Sequence, residues 1–370
     1  MRLPDLFKKG LIFALAITLI LPLAGCGQKF DSAEPKEGAV TTESASLKEA
    51  GERSFTDSLG REVTLPVKID RVVVSGPLTE IAVLPICKDK LVGISMEPNE
   101  DQVKYLGEEY KELPVIGQLY GGKEELNLET LLDVNPQVII DVGEEKDNMA
   151  EDLDEIQEQT GVPFVHVSAS LSNLGDTYKM LGELVGDEKT GDKLSEYCTR
   201  VYDRSSKIAE NVEKKEALYI LGDKGTNVLA KGSFHSEVMD MMTNNVAVVD
   251  SPSSKGTGNE VDMEQIYNWD PKTLIIAPDS IYSSIAQDEL WKKVSAVKNK
   301  SYYVVPEGPY NWMGFPPSVQ RLLAMMWIES TLYPEECDYD LYEEVATYYD
   351  YFYNYTLTKE EYDRLVNPVE

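Results

Sequence analysis

Residues 127–140 read NLETLLDVNPQVII, and residues 262–276 read DMEQIYNWDPKTLII. Each stretch opens with a residue that caps helix N-termini well, Asn127 in the first and Asp262 in the second. In both, a glutamate stands seven residues before a proline, which ends a short helix and admits an extended strand. We therefore predict two equivalent helix–strand units, and with them two lobes built on one plan.

Short apolar, β-branched runs recur on both sides of these units and are predicted to be buried strands. They lie at residues 71–74, 91–94, 138–140, 164–167, 218–221, 246–249, 274–276 and 303–305. Helical stretches separate the runs, and this alternation implies an α/β fold with mostly parallel sheets. A helix over residues 188–213, which Gly and Pro do not interrupt after Gly191, is predicted to join the lobes as a rigid strut.

The start of the chain has the pattern of a secretory signal, with basic residues, an apolar run over 11–23 and small residues before Cys26. The tetrapeptide Leu-Ala-Gly-Cys ending at Cys26 resembles the bacterial lipobox, so we predict a lipoprotein signal peptide over 1–25 and lipidation of Cys26. Residues 31–52 contain no aromatic residue, and 26–52 are predicted to be a flexible tether. We expect the protein at the extracytoplasmic face of the cell membrane, held there by its lipid anchor.

Composition and missing motifs exclude several classes of function. The chain has 65 acidic and 35 basic residues, a net charge of −30, which argues against nucleic-acid binding. It has no GxSxG, HExxH or Walker motif, so we predict neither an enzyme nor a cofactor. Cys87, Cys198 and Cys337 show no CxxC spacing; whether two of them form a disulfide is left open.

Several segments, in this order, are similar to the class III (cluster A-2) solute-binding proteins of ABC transporters. They are FTDSLGR at 55–61, DRVVV at 70–74, PLTE at 77–80, KLVGI at 90–94, NLE at 127–129 and NPQVII at 135–140. The resemblance implies two Rossmann-like lobes with mostly parallel sheets, one long rigid connecting helix and a ligand cleft between the lobes. It also implies a monomer that takes a small molecule or metal chelate to an ABC permease.

The resemblance divides the mature chain into four parts. We expect an N-terminal lobe over 53–170, connecting helices over 171–213 and a C-terminal lobe over 214–338. The Tyr-rich residues 339–370 are predicted to form a C-terminal helical extension of unassigned role.

Loops at the carboxyl ends of parallel strands line the ligand crevice in open α/β sheets. Here those loops supply the predicted ligand-binding residues: Pro77, Tyr120, Lys224, His235, Tyr310 and Trp312. Tyr120 and Trp312 are the strongest candidates, because each sits at a loop tip where a core role is not expected, and we predict that they face each other across the cleft. His166, on an apolar run, is interpreted as a satisfied strand residue. Metal ligands are left unassigned.

The nature of the ligand has several alternatives. Family members carry ferric siderophores, haem, cobalamin or, in some cases, metal oxyanions. The aromatic loop at 308–318 favours an iron complex of the ferric siderophore type or a related metal chelate. Molybdate or tungstate would instead need a tight cage of N–H and hydroxyl groups, and cobalamin and haem remain further alternatives.

Glu129 and Glu264 are predicted to dock the permease. The resemblance implies one glutamate per lobe that pairs with permease arginines, and these two residues occupy equivalent places in the repeated units. The alternative is that both are first-turn acids favoured by the helix dipole.

Overall fold

The computed structural model describes residues 51–119 and 126–367. The predicted signal peptide, Cys26 and nearly all of the tether lie outside these residues, as does Tyr120. Within the described ranges, no helix is long and apolar enough to span a bilayer. Cys87, Cys198 and Cys337 are free thiols.

The first lobe is a parallel sheet flanked by helices and preceded by an antiparallel hairpin. Its strands are β1 (Glu52–Thr56), β2 (Glu62–Pro66), β3 (Val72–Val74), β4 (Val138–Gly143) and β5 (Phe164–Ser168). Its helices are α1 (Pro77–Cys87), α2 (Glu100–Leu106), α3 (Glu108–Lys111), α4 (Leu128–Asp133) and α5 (Met149–Thr160). β1 and β2 form the hairpin, while β4 lies between β3 and β5 in a three-stranded parallel sheet. Every residue of β4 is buried, which explains its apolar start, Val138–Ile140, although the strand also holds the buried Asp141.

The connection between the lobes consists of α6 (Leu174–Val185) and α7 (Glu188–Asn211). α7 is 24 residues long, as the sequence predicts, and buries the expected stripe that includes Leu194 and Cys198. The two helices approach closely at two glycines: a Cβ on Gly191 would lie 2.7 Å from the Tyr178 carbonyl oxygen, and one on Gly182 would lie 3.0 Å from the Gly191 Cα. This contact keeps α7 firmly attached to the first lobe.

The second lobe has a mixed sheet with a parallel centre. Its strands are β6 (Glu216–Leu221), β7 (Asn227–Val228), β8 (Asn244–Asn245), β9 (Asn259–Glu260), β10 (Thr273–Ile276) and β11 (Tyr302–Val304). Its helices are α8 (Glu237–Met242), α9 (Met263–Trp269), α10 (Ser295–Lys298) and α11 (Arg321–Leu332). The order is β11-β10-β6-β7-β9, with β8 also paired to β6; β6, β8, β10 and β11 are parallel, and β7 and β9 are antiparallel additions. The two α/β lobes and the long helix confirm the predicted fold class.

Two of the predicted strands are wrong. Residues 91–94 form only isolated bridges, Val72 with Leu91 and Ile94 with Val115. Residues 246–249 follow a strand of only two residues, β8, because the chain then bends so that the Val248 N–H donates to the Val246 carbonyl. That bend leaves the Val248 side chain 64% exposed, although its sequence suggests a core residue.

The repeated unit of the sequence is also a repeated unit of structure. The Asn127 side chain accepts from the Thr130 N–H at the start of α4, and Asp262 accepts from the Gln265 N–H at the start of α9. Both units end on a left-handed residue directly before the proline, Asn135 in the first. Each then enters a central parallel strand. The two equivalent units are confirmed.

The Tyr-rich C-terminus forms α12 (Leu341–Tyr353) and α13 (Lys359–Val366), as predicted. α12 packs against α1 of the first lobe, while Arg200 and Arg204 of α7 hold Glu344 near the start of α12 at 2.8–3.1 Å. Burial alone would raise the pKa of Glu344, but these two guanidinium groups outweigh it and hold the pKa below its usual range. The Tyr349 hydroxyl donates to the Gly308 carbonyl in the second lobe. The extension therefore contacts both lobes and the connecting helix.

Candidate functional site: the interlobe cavity

A cavity of about 400 Å³ lies between the lobes beside the connecting helix. We call it the interlobe cavity. The first lobe contributes residues that follow β4 and β5, α7 contributes one tyrosine, and the second lobe contributes α8 and the segment before it. The lining residues are Glu144, Leu171, Ser172, Tyr202, Gly232, Ser233, Phe234, Glu237, Asp240 and Met241. Because β4 and β5 are parallel, their carboxyl ends meet at this edge of the sheet, where open α/β folds bind ligands.

A buried ion pair lies on the second-lobe side of the cavity. Arg321, the first residue of α11, is 2% exposed, and its Nη1 is paired with the Glu237 carboxylate, which is 30% exposed. The Arg321 Nε donates to the Ser318 carbonyl at 3.2 Å, and the guanidinium lies 4.9 Å from the centre of the Phe234 ring. Burial lowers the pKa of Arg321, while Glu237 opposes that change. The guanidinium remains a cation at neutral pH.

Two further carboxylates line the cavity in different environments. Glu144, from the first lobe, has its pKa raised by burial and by the nearby charge of Glu237, while Arg321 acts in the opposite direction. Asp240 is occupied within its own lobe: it accepts from the Gly232 N–H, the Ser236 hydroxyl and the Asn245 amide at 2.7–2.8 Å. Of these two, only Glu144 stands opposite the ion pair.

Two further rings lie next to Phe234 but are not among the residues that line the cavity. His235 stacks on Phe315 with ring centres 5.7 Å apart and planes 21° from parallel, and both rings are half-buried. Burial lowers the pKa of His235, so its imidazole is neutral at pH 7. Gly256 lies against this pair, since a Cβ there would be 3.4 Å from each ring.

The lobes touch directly where α1 and α11 begin. The Ser318 hydroxyl donates to the Leu78 carbonyl at 3.0 Å, three residues before α11 starts and in the first turn of α1. The N-cap of α1, Gly76, supplies no side-chain hydrogen bond to the helix. The first turn of an 11-residue helix therefore lies at the seam between the lobes.

The structure does not place Trp312 as the sequence suggests. Trp312 is fully buried and Tyr310 is 7% exposed, and both belong to the main apolar core. The expectation that a loop position excludes a core role for Trp312 is wrong, because α12 covers this loop: Tyr310 lies 6.4 Å from Tyr353 and Tyr349 bonds Gly308. Neither Trp312 nor Tyr310 is open to a ligand in this arrangement.

The remaining predicted residues have different surroundings. Pro77 begins α1 at the seam, and His235 belongs to the ring stack. Lys224 is exposed and does not line the interlobe cavity; its carbonyl accepts from the Trp291 indole at 3.1 Å. His166 is a fully buried strand residue as interpreted, but only half of its ring is satisfied: Nδ1 lies 2.7 Å from Asp141, whereas Nε2 has no hydrogen-bond partner among the described residues. No cluster of three or more metal-ligating His, Cys, Asp or Glu side chains occurs among the described residues.

The predicted docking residues occupy equivalent exposed positions. Glu129 is the second residue of α4 and Glu264 the second residue of α9, and both side chains are exposed. Each helix already has a capping side chain, so neither glutamate is needed to complete the helix start.

Sequence reasoning missed the residues that define the cavity wall. Arg321, Glu237 and Glu144 lie on three different elements and meet only in the folded chain. Phe315 lies inside the aromatic loop that drew attention to Trp312, but the sequence does not say which ring faces outward. The one available signal for Arg321 was a cation four residues after Pro317, at the start of an apolar helix.

Comparison with known proteins identifies the family. The Periplasmic binding protein family model matches residues 72–309, more than half of the chain. The chain belongs to this family, and the predicted membership of the class III solute-binding proteins is confirmed. It is an extracytoplasmic, non-enzymatic solute-binding protein of an ABC transporter.

Named relatives differ in what they bind. The molybdate-binding protein MolA of Haemophilus influenzae is 25% identical over 342 residues, which cover 85% of this chain and 95% of MolA. The Fe(3+)-citrate-binding protein YfmC of Bacillus subtilis is 23% identical over 57% of this chain and 65% of its own length. A solved ABC transporter solute-binding protein from Sulfurospirillum deleyianum superposes with a TM-score of 0.77 at 27% identity, covering 85% of this chain and 98% of that one.

Proposed function

We propose that this protein captures a compact metal chelate with anionic oxygens, of the ferric hydroxycarboxylate type, and delivers it to its permease. The observation that carries the proposal is the mixed chemistry of the interlobe cavity. One wall holds the buried guanidinium of Arg321 paired with Glu237, and Glu144 faces this pair from the first lobe. Leu171, Phe234 and Met241 add apolar surface to the lining. Such a lining suits a ligand that has both anionic oxygens and an apolar carbon skeleton.

The size of the cavity supports a compact ligand. Ligand sites generally measure about 300–1,000 Å³, and 400 Å³ is near the lower end of that range. This favours a small chelate over a corrinoid or a haem. Within the aromatic loop at 308–318, Trp312 and Tyr310 are buried, whereas Phe315 is half-buried. Phe315 stacks on His235, which lies beside the Phe234 ring that lines the cavity.

A tetrahedral oxyanion such as molybdate or tungstate is the second candidate. The relationship to MolA over nearly the whole of both chains favours it, and so do the guanidinium and the start of α1 at the seam. The carboxylates of Glu144 and Glu237 would repel either anion, but the apolar side chains of Leu171, Phe234 and Met241 can contact the carbon skeleton of a chelate, which a bare oxyanion lacks. We therefore place the chelate first.

A binding panel tests this choice. Purified protein should be titrated calorimetrically with ferric citrate, sodium molybdate, sodium sulfate, haemin and cobalamin. We expect ferric citrate to bind most tightly and sulfate to bind most weakly, because sulfate offers neither donors nor an apolar surface. Saturable binding of molybdate without ferric citrate would select the second candidate, and binding of haemin or cobalamin alone would contradict both.

We also propose that Glu129 and Glu264 dock the permease and take no part in ligand binding. Exposed charge pairs mainly tune encounter and orientation. Replacing both with Ala should leave the affinity in solution unchanged and lower transporter-dependent uptake at least severalfold. Cellular uptake of the ligand selected by the panel, measured beside titration of the same variant, checks this.

The matched control is Glu188→Ala, which removes an exposed first-turn acid from α7. If the two glutamates act only through the helix dipole, both kinds of variant should lose about 0.3–1 kcal/mol of stability per site and transport normally. Wild-type uptake by the double variant would rule out docking.

A further inference from the structure

Glu237 stands between the interlobe cavity and the buried guanidinium of Arg321. Glu237 and Phe234 both contact the Arg321 guanidinium, and both line the cavity, whereas Arg321 does not. Arg321 is 2% exposed and Glu237 is 30% exposed. The carboxylate therefore covers the guanidinium on the side from which a ligand would arrive.

We propose that Glu237 is an internal competitor for the ligand: it neutralises Arg321 in the empty protein and is displaced when an anionic oxygen of the ligand takes its place. This inference rests on the proposed function, because it needs a ligand with anionic oxygens. It assigns Glu237 a role that sets affinity and selectivity, in addition to holding the ion pair.

The charges around the pair explain why the exchange is feasible. Glu144 faces Glu237 from the first lobe, and the repulsion between them weakens the hold of Glu237 on Arg321. Asp240, one turn further along α8, is already bonded to three donors and does not compete. His235 is neutral. Once Glu237 turns away, its carboxylate can enter the water of the cavity, whereas Arg321 stays buried and needs a new partner.

Competition lowers the affinity for every anion, so that only a ligand with enough further contacts still binds measurably. When the free form of a site is populated only to a fraction, the apparent dissociation constant rises by the inverse of that fraction. If Glu237 covers Arg321 about 90% of the time or more, every anion binds at least about tenfold more weakly than it would to a bare guanidinium. A ligand with several anionic oxygens and further contacts can overcome this barrier, while a simple anion cannot.

The test is Glu237→Gln, titrated with ferric citrate, sodium molybdate and sodium sulfate beside the wild type. The amide has the same shape as the carboxylate but no charge, so we expect affinity for the best-bound probe to rise at least tenfold and binding of sulfate to become measurable. Glu260→Gln, an exposed acid on β9 of the same lobe, makes the same charge change away from the cavity and should match the wild type. Glu237→Asp keeps the charge on a shorter side chain and should fall between wild type and Glu237→Gln.

The titrations of these variants distinguish competition by Glu237 from its alternatives. Equal tightening by Glu260→Gln and Glu237→Gln would show a general charge effect and overturn the inference. If wild type binds a probe and Glu237→Gln binds it equally or more weakly, the inference falls and the proposed function stands. If neither protein binds any of the three probes, the proposed ligand class fails and the inference fails with it. Melting temperatures of all variants, measured without ligand, show whether a change in affinity reflects a change in folding.

Discussion

Replacing Arg321 with methionine should weaken binding of the preferred ligand at least about 30-fold. Removal of one partner from a buried, hydrogen-bonded charge pair costs about 2–5 kcal/mol, and each 1.4 kcal/mol is a factor of ten. In the proposed complex the partner of Arg321 is the ligand, so the loss should appear in affinity. Methionine has a comparable length and fills the space between Gly314 and Phe234 without the charge.

The variant should still fold, because the carboxylate left behind can reach water. Loss of one partner from a fully buried pair destabilises a protein by about 3–5 kcal/mol, but Glu237 is 30% exposed, so we expect a smaller loss. Arg204→Met is the matched control: Arg204 is also largely buried and paired with a glutamate, Glu344, but it does not line the cavity. It should lower stability and leave affinity unchanged. Wild-type affinity in Arg321→Met would remove Arg321 from the site.

Replacing Phe352 with alanine should destabilise the protein by about 3–5 kcal/mol, the usual cost of removing a buried phenyl ring. Phe352 is 1% exposed and stacks on Tyr348 with ring centres 4.2 Å apart, while Tyr178 of α6 and Tyr197 of α7 meet its edge. The ring therefore joins α12 to the connecting helices. For a chain of this length the expected fall in melting temperature is roughly 4–8 °C.

The neighbouring residue supplies the control for this prediction. Tyr351 is half-buried, and Lys193 lies 3.4 Å from its ring centre near the surface. Tyr351→Ala should therefore cost about 1 kcal/mol or less. Thermal unfolding followed by circular dichroism measures both variants. Equal shifts would show that the extension is not anchored through its buried ring, and that its contact with both lobes contributes little to stability.

The sequence determines the parts of this fold that depend on local chemistry. Asn and Asp are favoured at helix N-caps, as at Asn127 and Asp262, and the prolines that follow end the two helices. The repeated unit is therefore predictable from the sequence. The regular apolar spacing of α7 likewise predicts a long helix with one buried face. The strand predicted over residues 246–249 is absent because a single bend after β8 turns the Val248 side chain toward solvent. Apolar content alone does not reveal that bend.

The cavity wall depends on contacts between segments distant in the chain, which explains why it was not predicted. Trp312 is buried because α12 packs over its loop, about 40 residues further along. Arg321 and Glu237 are separated by 84 residues, and each alone is typical of a solvated surface charge. Pairing across such a separation becomes visible only when the second lobe is folded. The class of protein was therefore predictable from sequence pattern, whereas the wall of its site was not.

The most direct measurement is a crystal structure of the complex with the tightest-binding member of the panel. We expect an anionic oxygen of the ligand within hydrogen-bond distance of the Arg321 guanidinium, the Glu237 carboxylate turned away, and the Phe234 ring against the ligand. A ligand bound elsewhere, with the pair of Arg321 and Glu237 intact, would contradict this assignment of the site.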